Sequence, residues 1–178
     1  FDFSGHYGYM HHIFTTWTLP QSNDYLFYHP PFEHIVQAIV VKIFSLFQLG
    51  AERDALFEAS KLVPCFASCA MLFVSRSICR ELGLTNRATA IAIAVIAFHP
   101  TFYILSASVN NDTLMIFFFM IAVLYTIRWY KSPTMKNILL IAVSIGLSMM
   151  TKTSGGIVAL FTAPVFLIVL IKRLRKRR

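Results

Sequence analysis

Five apolar segments, separated by short polar connections, dominate the chain after residue 55. They cover roughly 56–75, 88–106, 113–129, 136–150 and 156–171. Each comes close to the ~20 helical residues needed to cross a hydrocarbon core about 30 Å thick. The pattern predicts an all-α protein, a polytopic transmembrane helix bundle of about five spans. The fourth segment is short and relies on flanking polar side chains that reach the interface. The first carries Glu58, Lys61 and Pro64. Glu58 and Lys61 are three apart, so they can pair on one helical face.

Upstream, the run 35–49 is also apolar. There, however, His34, Gln37, Ser45 and Gln48 fall in one narrow stripe at the helical period. We read this run as a helix lying in the membrane interface, with its polar stripe outward. Pro30-Pro31 suits its first turn, and 19–24 (Leu-Pro-Gln-Ser-Asn-Asp) reads as a turn before it. The organisation expected is an external loop with interfacial helices over 1–55 and a transmembrane bundle over 56–178. His99-Pro100 predicts a kink in the second span, with the imidazole facing the bundle.

Charge gives the bundle a sidedness. Arg76, Arg80 and Arg87 lie between the first two spans, and Arg128, Lys131 and Lys136 between the third and fourth. Lys172, Arg173, Arg175, Lys176, Arg177 and Arg178 follow the fifth. If all five spans cross, these residues share one side, which the Lys/Arg bias marks as cytoplasmic. Of the acids, only Glu81 joins them. The net charge of +8 therefore reports topology and contact with anionic lipid. Basic residues do not interleave with aromatics as a nucleic-acid groove requires, so no nucleic-acid partner is expected.

Composition agrees: 57% of residues are hydrophobic and 13% charged, against about 45–50% and about 25% in soluble domains. The chain starts at Phe1 without a signal-peptide pattern, and reads as a piece from inside a larger protein. Cys65, Cys69 and Cys79 lie in or beside apolar sequence and read as packing residues.

The polar groups that a bundle does not require lie mostly in the outer connections. Asp2 and His6 are four apart and share a helix face, although Asp2 would also serve as a helix N-cap. Tyr28-His29-Pro30-Pro31-Phe32-Glu33-His34 gathers polar side chains at a helix start. Asp112 heads the third span and could equally cap it. Lys152, among hydroxyls and before Gly155-Gly156, could bind phosphate or simply snorkel. Asp2, Glu33 and Asp112 could share one aqueous cavity and hold a divalent metal ion, since carboxylates suit a hard cation.

The ordered set Asp2-x-x-Gly5-His6-x-x-Tyr9, Leu19-Pro20, Tyr28-His29-Pro30-Pro31, Asn111-Asp112 and Thr151-Lys152-Thr153 resembles the GT-C superfamily. Within it, the chain resembles the dolichyl-phosphate-mannose protein mannosyltransferases and their bacterial relatives, which include lipid A aminoarabinose transferase. The resemblance implies a membrane glycosyltransferase that moves a sugar from a polyprenyl-phosphate donor to an acceptor hydroxyl at the extracytoplasmic face, with inversion. The acceptor would be a protein, lipid or glycan. Asp2 and Asp112 would be the catalytic acids of the first and second external loops. His6, Tyr9, His29 and Lys152 would bind substrate, with Lys152 supporting phosphate charge. The family often has an acidic pair where this chain has Asp2-Phe3, which leaves the metal open. The expected location is a bacterial cell membrane, or the endoplasmic reticulum if the source is eukaryotic. A transporter or flippase-like protein is the other reading. It would place ionisable groups near mid-span, whereas here the acids stand at the span ends.

Overall fold

In the computed structural model, which describes residues 3–21, 27–47 and 53–176, the described residues are helical with no strand. The order is α1 (Phe3–Thr16), α2 (Phe32–Leu46), α3 (Arg53–Ser60), α4 (Leu62–Glu81), α5 (Asn86–Ala97), α6 (Pro100–Ser106), α7 (Asp112–Lys131) and α8 (Met135–Thr151). A 3₁₀ turn (Thr153–Val158) and α9 (Ala159–Lys176) follow. The turns carry ordinary stop and start chemistry. Gly83, at φ 78°, ends α4, where the Leu84 and Gly83 amides bond back to the Cys79 and Arg80 carbonyls. This is the paired closure that a left-handed residue permits after a helix. Thr85 and Thr134 accept from the amides of Ala88 and Asn137, which caps α5 and α8.

The middle helix is α7, which packs along α8 and α4 and also meets α6 and α9. It and its neighbours turn small polar residues inward: Ser68, Ser75, Thr126, Ser144, Ser148 and Thr151 are buried. Most bond to a carbonyl of their own helix, but Ser148 Oγ donates across to the Met115 carbonyl at 3.0 Å. Large apolar side chains point outward instead, with Phe66 and Phe73 each 70% exposed and Phe98 86% exposed. Apolar outside and small polar inside is the arrangement a lipid solvent favours.

Among the described residues, three helices are long and apolar enough to cross a membrane: Glu58–Glu81, Asp112–Lys131 and Thr153–Lys172. The pair Asn86–Ala97 and Pro100–Ser106, bent by 62°, makes a fourth if taken as one span. The Met135–Thr151 helix has 17 residues, about 25 Å at 1.5 Å per residue, and is the short segment expected. The first span runs further than the predicted 56–75: its helix continues to Glu81, where Arg128 and Lys131 satisfy that carboxylate. Lys61 and Glu58 pair at 2.5 Å as expected.

Two expectations are corrected. The break at His99-Pro100 exists, but His99 is exposed and does not face the bundle. The residue before a proline is pushed to extended backbone. His99 adopts it (φ −68°, ψ 127°), which turns its side chain off the inner face. The polar stripe of α2 is also inverted. His34 and Gln37 are fully buried, while Ile39, Ile43 and Leu46 on the other side are exposed. Helix α1 covers the stripe through Tyr9, Met10 and Ile13, which pack on Ala38 and Val41. The free face of α2 is thus apolar, as suits a helix solvated by lipid. Gln48 and Leu49, the end of that run, lie outside the described residues, as do Ser22, Asn23 and Asp24 of the expected turn.

Candidate active site

The site is assembled where α1, the start of α2 and the heads of α7 and the 3₁₀ turn meet. Helix α1 supplies His6 and Tyr9, one turn apart on the side facing α2. Pro30-Pro31 starts α2 and presents His34 from its first turn. His6 Nδ1 and His34 Nε2 are 3.0 Å apart. The Tyr9 ring stacks on His34 with centroids 4.1 Å apart, and its hydroxyl donates to the His29 carbonyl at 3.4 Å. The His6 and His29 rings lie 5.4 Å apart. His34 lies at the buried side of this cluster: burial, followed by the nearby His6 and His29, pushes its pKa down to about 3, so its imidazole is neutral. Burial also raises the Tyr9 phenol.

The turn that carries His29 is tied to α7. Asn111 Nδ2 donates to His29 Nδ1 at 3.3 Å, which leaves the proton of a neutral His29 on Nε2. Asn110 does the capping expected of Asp112: its side-chain oxygen accepts from the Thr113 amide and the Thr113 hydroxyl, both at 2.9 Å. Asp112, relieved of that task, reaches Lys152, with Oδ1 2.5 Å from Nζ. Both side chains are about 30% accessible (31% and 30%), so the pair is open on one side. A carboxylate in the first turn of α7 is also favoured by that helix's dipole.

Lys152 is held there by a sharp change of course. It leaves α8 in extended backbone (φ −156°, ψ 130°), and the Gly155 amide returns to its carbonyl at 2.8 Å. That reversal presses Gly155 onto α8. A Cβ at Gly155 would lie 2.7 Å from the Ser148 carbonyl carbon and oxygen, backbone atoms that cannot yield. Gly155→Ala is therefore expected to cost about 1–3 kcal/mol by overpacking. Gly156→Ala, whose Cβ would meet only the flexible Met149 side chain at 3.3 Å, should be milder. Thermal unfolding in detergent reads both, and an unchanged midpoint for Gly155→Ala would refute the contact.

The structure therefore brings His6, Tyr9 and His29 into one cluster and links it, through Asn111, to Asp112 and Lys152. Asp2 lies outside the described residues. Glu33 does not join the group: it is fully buried, and its Oε1 accepts from Gln37 Nε2 at 2.9 Å. Burial, opposed by that hydrogen bond, raises its pKa to about 8. A neutral carboxyl is a poor metal ligand. Of the expected Asp2–Glu33–Asp112 metal set, Asp2 lies outside the described residues, Glu33 bonds to Gln37 and Asp112 to Lys152; among the described residues no group of three or more His, Cys, Asp or Glu able to hold an ion is found.

The sequence singles out His34 among the polar groups at a helix start and Asn111 beside Asp112, but not their contacts: only packing against Tyr9 shows that His34 points inward. Asn111 carried a signal, since two consecutive amides before an apolar helix are one more than a cap requires.

A family model described as "Dolichyl-phosphate-mannose-protein mannosyltransferase" matches residues 28–178. The match starts at the tyrosine before His29 and includes Asp112 and Lys152; Asp2, His6 and Tyr9 precede it. No curated protein and no solved structure matches the chain.

Proposed function

This chain belongs to the dolichyl-phosphate-mannose-protein mannosyltransferase family, a family of membrane glycosyltransferases, and from that membership we propose a specific reaction: transfer of a sugar from a polyprenyl-phosphate donor to an acceptor hydroxyl, at the face away from the basic loops. In this reading residues 1–55 form an external loop with interfacial helices, and 56–178 form the membrane bundle. The observation that carries it is the Asp112–Lys152 pair at 2.5 Å, joined to the histidine cluster through Asn111 and His29.

The chemistry follows from charge. The acceptor oxygen attacks the anomeric carbon, the bond from that carbon to the phosphate oxygen breaks, and the acceptor proton passes to a base. Asp2 takes that proton. The departing lipid phosphate gains negative charge, and Lys152 stabilises it. Asp112 holds the ammonium in place and orients the acceptor, while His6, Tyr9 and His29 line the sugar side. A single displacement inverts the anomeric carbon.

A place for the lipid adjoins the polar end. A groove of about 500 Å³ lies between α2, α4 and α7, lined by Val36, Val40, Phe66, Leu114 and Phe117 among others. Leu114 is two residues into α7 from Asp112, so an isoprenoid chain in the groove would present its phosphate near the head of that helix. The acceptor would be a protein, lipid or glycan hydroxyl.

The test is donor choice by the full-length protein. Purified enzyme in vesicles should transfer sugar from a polyprenyl-phosphate sugar, and mass spectrometry should find such a lipid copurifying. Turnover with a nucleotide sugar alone would overturn the proposal.

A further inference from the structure

At the end of the bundle opposite Asp112, the basic residues have one carboxylate between them. Glu81 is the sole acid in the segments that flank the spans there, and it is fully engaged. Arg128 Nε donates to its Oε1 at 2.8 Å, and Lys131 Nζ donates to its Oε2 at 3.0 Å and to its carbonyl. Among the described residues no salt bridge reaches Lys136, Lys172 or Arg175. Lys172 is nevertheless held: its ammonium donates to the Tyr130 hydroxyl at 2.7 Å and lies 4.7 Å from that ring's centre.

Lys172 and Arg175 stand beside an apolar slot. A cavity of about 360 Å³ lies between α7, α8 and α9, lined by Trp129, Ile138, Phe166, Leu167, Val169 and Leu170. Its inner wall is the stack of Trp129 on Phe166, with centroids 4.0 Å apart. Its outer wall is open, with Leu167 57% exposed. Lys172 follows Val169 by one helical turn of α9 and Arg175 follows Lys172 by another, so the end of α9 sets two cations toward the terminal end of the slot.

One class of occupant matches both the apolar slot and the positive charge beside it. A further apolar helix would fill the slot but leave the cations without counter-ions. An acidic soluble segment would neutralise the cations but would bring backbone polar groups into a slot lined almost wholly by apolar side chains. One molecule of the bilayer does both, with an acyl chain in the slot and an anionic head group at its end. Basic pockets between spans are known to select such head groups. We propose that this slot is a binding site for an anionic phospholipid, separate from the transfer site and on the opposite end of the bundle.

The test is photo-crosslinking from a benzoylphenylalanine placed at Leu167 of the full-length protein, with Leu170 as a second position. The vesicles would hold equal parts phosphatidylglycerol and phosphatidylcholine. The expected result is phosphatidylglycerol captured over phosphatidylcholine by about fivefold or more. The double variant Lys172→Met/Arg175→Met should bring the ratio to that of the bulk membrane while leaving sugar transfer unchanged. Capture in the bulk ratio by the unsubstituted background would overturn the site, as would capture of another protein segment at both positions. Neither outcome touches the transferase reading, which rests on the other end of the molecule.

Discussion

Lys152→Met in the full-length protein is expected to lower kcat for sugar transfer by about 10²–10³-fold, the usual loss when one preorganised charge-stabilising group is removed from a developing anion. The lysine is not a chance surface cation. Extended backbone at residue 152 ends α8, the close approach of Gly155 to Ser148 fixes the reversal, and Asp112 holds the ammonium at 2.5 Å. Asp112→Asn should lower kcat as well, because the amide no longer attracts the ammonium. The two losses should not add, since both variants act on one pair. Lys152→Arg keeps the charge but not its shape and should recover part of the rate. If Lys152→Met turned over normally with the polyprenyl-phosphate donor, the lysine would be a snorkelling residue and the pair merely structural.

The second large effect is expected at Asp2. Asp2→Asn removes a proton acceptor while keeping size and polarity, so kcat should fall by about 10²–10⁴-fold. Membrane insertion and thermal unfolding should be unchanged, because the α1–α2 contact rests on Tyr9, Met10 and Ile13 against Ala38 and Val41. Rates measured in vesicles decide this, with protein amount normalised by the inserted fraction. Wild-type turnover by Asp2→Asn would remove that carboxylate from the chemistry and shift attention to the histidine cluster.

The helices themselves were legible in the sequence because their signals are local. Apolar runs of span length, the proline pair before α2, the break at His99-Pro100 and the pairing of Glu58 with Lys61 each depend on residues close together along the chain. Inside and outside were harder to tell. The stripe of His34 and Gln37 has the same helical period whether it faces water or another helix, and the direction depends on where α1 packs. His99 shows the same ambiguity: the proline predicts the break, but the extended backbone before it decides where the imidazole points.

The candidate site divides in the same way. Asp112 and Lys152 each stand out as polar groups at a span end, yet each had a plain local explanation as a cap or a snorkelling lysine. Their partnership spans 40 residues, and the competing explanation for Asp112 falls once Asn110 is seen to cap the helix. The His6–His34 and His29–Asn111 contacts likewise join residues 28 and 82 apart.

What the sequence alone determined is therefore the apolar solvent, the all-helical class and the rough position of the apolar helices, and the end of the bundle that gathers positive charge. Each follows from how a residue partitions between water and lipid, or from its bonds to near neighbours along the chain. What only the tertiary structure decided is which polar residues meet. A hydrogen bond or ion pair between distant segments requires donor and acceptor to arrive within about 3 Å, and no periodicity along the chain encodes that meeting.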